Sequence, residues 1–83
     1  MLTYVPLGVC SKKIEFDIKD GNLSHVAFEG GCPGNQEGIS RLVEGMPVDD
    51  VITRLQGITC GKKKTSCPDQ LTLALGEWKQ ANL

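Results

Sequence analysis

Ile14-Glu15-Phe16-Asp17-Ile18-Lys19, followed at once by Asp20-Gly21-Asn22, is the stretch whose reading decides the fold. Ile14, Phe16 and Ile18 alternate with Glu15, Asp17 and Lys19, the period-2 pattern of a strand with one buried face. Asp20-Gly21-Asn22 is a strong turn signal. Leu23 to Glu29 therefore reads as the returning strand, with Val26 and Phe28 on its inner face and His25 exposed opposite them. Upstream, Leu2 to Val5 adds a third strand, stopped by Pro6, and Cys10 lies in the following connection. Downstream, Gly30-Gly31 ends the hairpin and delivers Cys32 to the rim of the sheet.

Beyond Cys32 the period changes. Asn35 to Glu44 carries Ile39, Leu42 and Val43 at helical spacing, and Gly45 supplies a C-terminal stop. Pro47 opens a second helix, with Asp49 and Asp50 in the first turn, where the helix dipole favours acids. Its apolar face is Val48, Val51, Ile52 and Leu55, and Gly57 ends it. Ile58 to Ser66 reads as a loop holding Cys60 and Lys62-Lys63-Lys64. Pro68 opens the last helix, on which Leu71, Ala74, Leu75 and Trp78 recur along one face. Strands first and helices after define a small α+β domain. The expected architecture is an antiparallel sheet, hairpin plus third strand, with three helices packed on one face. Ile14, Phe16, Ile18, Val26 and Phe28 should line that face, covered by Leu42, Val51, Leu55, Leu71, Leu75 and Trp78.

Composition narrows the classes of function. The 83 residues read as one domain, 1–83, with 40% apolar and 23% charged residues, ordinary globular values. A core of this size supplies only about 3–5 kcal/mol, so a bound metal or partner would add usefully to stability. A formal charge of −1 gives no overall attraction to nucleic acid or an anionic membrane. No apolar run approaches the roughly 20 residues of a membrane span. The N-terminus shows no basic segment followed by an apolar one, so the chain reads as cytoplasmic. In a reducing compartment its four cysteines read as metal ligands or redox thiols rather than as disulfides.

The cysteines have informative surroundings. Thr65-Ser66-Cys67-Pro68-Asp69 echoes Gly31-Cys32-Pro33-Gly34-Asn35, each placing cysteine directly before proline where a helical pattern begins. Proline suits the first helical turn. A thiol at a helix N-terminus meets unpaired N–H groups, a setting that favours nucleophiles and metal ligands. Cys10, Cys32 and Cys60 have glycine one or two residues away, which allows close backbone approach and N–H bonds to sulphur. No Cys-x-x-Cys pair occurs, and six residues separate Cys60 from Cys67. Four small buried residues are the bland alternative. Lys62-Lys63-Lys64 reads as a solvated run, His25 as a weak ligand candidate, and Asp69 as a helix cap. No serine–histidine–acid set and no phosphate loop is visible.

Across its length the chain resembles the small proteins built from the TSCPD domain, named for the five residues found here at Thr65 to Asp69. The resemblance runs from about Tyr4 to Trp78. It takes in Gly30-Gly31-Cys32-Pro33-Gly34-Asn35, Gly38-Ile39, Gly45 and Cys60-Gly61 in the expected order. In larger proteins that domain accompanies adenosylcobalamin-dependent ribonucleotide reductases, and short versions often carry the label ribonucleoside-diphosphate reductase. The resemblance thus implies an accessory role with a ribonucleotide reductase as protein partner. Autonomous reduction is not implied, since 83 residues leave no room for a catalytic barrel, nucleotide sites or a cobalamin site.

The order of elements is also similar, more distantly, to iron–sulphur scaffold proteins of the IscU type. That likeness implies that Cys10, Cys32 and Cys67 converge at one end of the sheet. The sequence departs from the scaffold pattern in chemically meaningful places. Cys10-Ser11-Lys12 stands where the scaffold has Cys-Gly-Asp, and Ser66 where it has histidine. The N-terminal helix and the chaperone-binding Leu-Pro-Pro-Val-Lys segment are missing. Cys60 instead completes a four-sulphur set of Cys10, Cys32, Cys60 and Cys67, which suits zinc first and a stably held iron–sulphur cluster second. Two rival readings stay open: a thiol–disulfide redox protein using Cys60 and Cys67, and a purely structural interaction domain.

Overall fold

The computed structural model describes residues 2–6, 8, 11–30, 33–59 and 65–82. Strands β1 (Leu2–Tyr4), β2 (Ser11–Lys19) and β3 (Asn22–Gly30) form an antiparallel sheet in the order β1-β2-β3. Helices α1 (Pro33–Val43), α2 (Val48–Leu55) and α3 (Cys67–Ala81) follow. This is the expected α+β arrangement. β2 is central, with Tyr4 opposite Ile14 on one side and Phe28 opposite Ile14 on the other. Asp20 and Gly21 both take positive φ, 54° and 78°. Positive φ at both central residues makes a type I′ turn, whose twist matches that of a two-stranded hairpin.

The returning strand does not keep strict alternation. Between the pairs Glu15–Ala27 and Asp17–Ser24, β3 carries one residue more than β2. His25 sits in this bulge with φ 54° and is exposed, as expected. The extra residue puts Leu23 and Val26 on the same buried face, although one is odd and the other even. Leu23 is fully buried, a core position the period-2 reading missed.

The link between α1 and α2 is fastened to this strand. Gly45 N–H donates to the Leu23 carbonyl at 2.7 Å, and Leu23 N–H donates to the Met46 carbonyl at 2.8 Å. Val48 N–H then reaches the Gly21 carbonyl at 2.9 Å. Pinning the end of α1 in this way fixes its rotation. Val43 is buried and Ile39 packs against the core, whereas Leu42 is 78% exposed. The expectation that Leu42 covers the sheet is thereby corrected: one position, about 100° around a helix, separates it from Val43. The remaining expectations hold in graded form. Ile14, Phe16, Val26, Val51, Leu71 and Leu75 are buried, and Ile18, Phe28, Leu55 and Trp78 pack at the margin. Among the described residues, no helix is long and apolar enough to cross a membrane.

Candidate functional site

α3 starts one residue earlier than its proline suggests: Ser66 is the N-cap, Cys67 the first helical residue and Pro68 the second. The Ser66 Oγ accepts the Asp69 N–H at 3.2 Å, satisfying one of the orphan donors of a first turn. The Asp69 carboxylate turns the other way. One oxygen accepts the Gly57 N–H at 2.7 Å and the other accepts the Thr65 hydroxyl at 2.5 Å. Thr65 Oγ1 in turn accepts from Gln70 Nε2 at 2.9 Å. The expectation that Asp69 caps α3 is thereby corrected: Ser66 is the cap, and the Asp69 carboxylate ties the segment after α2 to the start of α3. Threonine, serine and aspartate of the motif are its framework. The cysteine is what they present.

Cys67 is half-buried. Gln36, only 7% exposed, directs its amide Nε2 to the Cys67 Sγ at 3.8 Å. Sequence reading passed over Gln36. Its signal was position: with Ile39 and Val43 it completes the inner stripe of α1, a polar residue at the end nearest Pro33. Helix α1 begins immediately after Cys32, so this contact joins the two cysteine-proline segments through described atoms.

The described neighbours of Cys10 lie at the same end of the sheet. Gly8, two residues before it, lies beside Thr65: an added Cβ would stand in ordinary contact with the Thr65 Cγ2, at 3.4 Å. Ser11, just after it, pairs with Gly30, two residues before Cys32. Cys10, Cys32 and Cys60 themselves lie outside the described residues, as does Lys62-Lys63-Lys64. Among the described residues, no group of three or more histidine, cysteine, aspartate or glutamate side chains could hold a metal ion. His25 stands five residues from Gly30 along β3, about 16 Å at strand rise, with its ring near Asp17 and Ser24.

The sequence profile of the TSCPD domain matches residues 2–79. The chain belongs to the TSCPD domain family. No curated protein and no solved structure matches it. In this TSCPD domain the five naming residues have separate roles. Thr65, Ser66 and Asp69 build the turn, Pro68 occupies the first helical turn, and Cys67 is the first helical residue, its sulphur met by the Gln36 amide.

Proposed function

We propose that this TSCPD domain is a cysteine-based metal-binding accessory module that serves a ribonucleotide reductase, with Cys10, Cys32, Cys60 and Cys67 as ligands. The observation that carries it is the Gln36 amide on the Cys67 sulphur at 3.8 Å, reaching from the helix that Cys32 precedes. The packing of Gly8 on Thr65 and the pairing of Ser11 with Gly30 add support, because they bring the flanks of Cys10 to the same place.

The donor chemistry fits. Cys67 stands at a helix start, beside the backbone N–H groups of the first turn. An amide N–H directed at sulphur is the outer-shell partner that metal-bound thiolates commonly have. Asp69, the nearest acid in the motif, is engaged by Gly57 and Thr65 and serves the framework instead. Four thiolates suit tetrahedral zinc, the first choice, and an iron–sulphur cluster is the second. Bound zinc would contribute folding free energy directly, while a cluster would add electron transfer.

Native mass spectrometry of anaerobically purified protein tests this reading, since it reports metal and thiol state together. One metal centre is expected, lost on single serine replacement of Cys10, Cys32, Cys60 or Cys67. The half-buried Cys67 at a helix start also suits the rival reading, disulfide exchange with Cys60, in which Cys10 is idle. Cys10→Ser separates the two. Unchanged metal content and melting temperature in that variant would remove the four-ligand site.

A further inference from the structure

β3 is an edge strand, and its outer edge is only partly used. At the turn end, the 44–48 segment closes it: Leu23 exchanges backbone bonds with Gly45 and Met46, and Asn22 bridges to Pro47. The His25 N–H is taken by the Glu44 carboxylate at 3.0 Å, a side chain standing where a strand's carbonyl would otherwise stand. Beyond that point, among the described residues, no backbone bond joins Val26–Gly30 to any segment outside the sheet. Unpaired edge backbone is a template for another strand.

That open stretch borders a groove. A cavity of about 330 Å3 lies between β3, at Val26, Ala27, Phe28 and Gly30, and the flank of α1. Gln36, Glu37 and Ser40 form the helical wall. A groove walled by an edge strand and a helix is the setting in which strand addition captures extended peptides: backbone bonds give affinity, and alternate side chains enter the groove. The volume is at the lower end of ligand-sized clefts, about 300–1,000 Å3. Charge selects among peptides. Glu37 lines the groove, Glu29 and Glu44 lie next to it along the chain or through the His25 bond, and among the described residues Lys13 and Arg41 are engaged by acids. Lys13 is shared by Glu15 at 3.2 Å and Glu29 at 3.3 Å, and these bonds hold its ammonium above the usual lysine range. Arg41 bonds Glu37 at 2.8 Å. Four acids, Glu15, Glu29, Glu37 and Glu44, thus stand against two cations, Lys13 and Arg41, so the balance of these described groups is negative.

We propose that Val26–Gly30 and α1 form a docking groove for an extended, basic peptide segment of a partner chain, which adds to β3 as a further strand and continues the ladder begun by the 44–48 segment. The groove adjoins the proposed metal centre, since Gln36 stands in its wall and also reaches the Cys67 sulphur, but strand addition requires no bound metal.

The test uses 15N-labelled full chain and capped seven-residue peptides alternating valine with threonine, with lysine, glutamine or glutamate at the centre. The lysine peptide should shift amide resonances of Val26–Gly30 and Gln36–Ser40 and slow exchange along Val26–Gly30. It should bind about threefold tighter than the glutamate peptide, the scale of one exposed ion pair, and Glu37→Lys should invert that order. N-methylation of alternate peptide amides should abolish binding, a control that leaves the protein unaltered. Absence of these shifts, or equal binding of the N-methylated peptide, would overturn the proposal. Concentration-dependent shifts at β3 without peptide would also overturn it, assigning the edge to a second copy of this chain.

Discussion

At Asp69 a single carboxylate accepts from the Gly57 N–H and from the Thr65 hydroxyl, and its backbone N–H closes the Ser66 cap. Removing it leaves donors in a partly buried turn without their acceptor, so Asp69→Ala should cost about 1–3 kcal/mol. Urea unfolding measures this loss. Metal stoichiometry in the folded fraction should stay unchanged, because the acid belongs to the framework; loss of metal there would make Asp69 a ligand. This division of labour was half legible. Serine, aspartate and proline beside Cys67 announce a helix start by their types alone. Gln36 could not be found that way, because its value lies in a contact with a residue 31 positions away. A polar residue on an apolar helical stripe marks an exception, but only the fold says what it faces.

The same limit appears among the elements. The hairpin was legible because alternation in β2 and Asp20-Gly21 agree on one answer, and α3 because Leu71, Ala74, Leu75 and Trp78 repeat over two turns. Leu23 and Leu42 were misplaced for a common reason. A bulge shifts the phase of β3, and bonds from Gly45 and Met46 to Leu23 fix the rotation of α1. Neither is a local property. The rotation predicts a contrast: Val43→Ala should destabilise by about 2 kcal/mol, and Leu42→Ser by less than about 0.5 kcal/mol. Thermal melts of the pair check it, and equal losses would restore Leu42 to the core. β1 offers a pH-dependent counterpart. Burial, and then the charge of Glu77, raise the Tyr4 phenol above its ordinary value of 10.0. The folded chain thus holds this proton more tightly than the unfolded one. Its contribution is complete below about pH 10 and is lost as pH rises through the raised folded value. Tyr4→Phe, which cannot ionise, should move the alkaline unfolding midpoint upward.

At the scale of the molecule, the small core and the proposed metal centre become one thermodynamic question. Phe16, 3% exposed, is the large aromatic at the centre of the sheet face, whereas Phe28 is only half-buried beside the groove. Phe16→Ala should cost about 3–5 kcal/mol, comparable to the whole stability that a domain of this size draws from its core. The metal-free variant should therefore be largely unfolded. A ligand that binds only the folded state adds about 4.1 kcal/mol at a free concentration 1,000 times its Kd. Zinc added anaerobically to reduced Phe16→Ala should consequently refold it, seen as recovery of near-ultraviolet dichroism at a zinc-dependent melting temperature. The same titration on Phe16→Ala carrying Cys10→Ser should recover nothing, because binding and folding are coupled through the complete ligand set. Refolding by zinc without Cys10 would leave the metal real but shrink its site to the remaining sulphurs. No refolding in either protein would show that the fold rests on its side-chain core alone, and zinc would no longer be the metal of first choice.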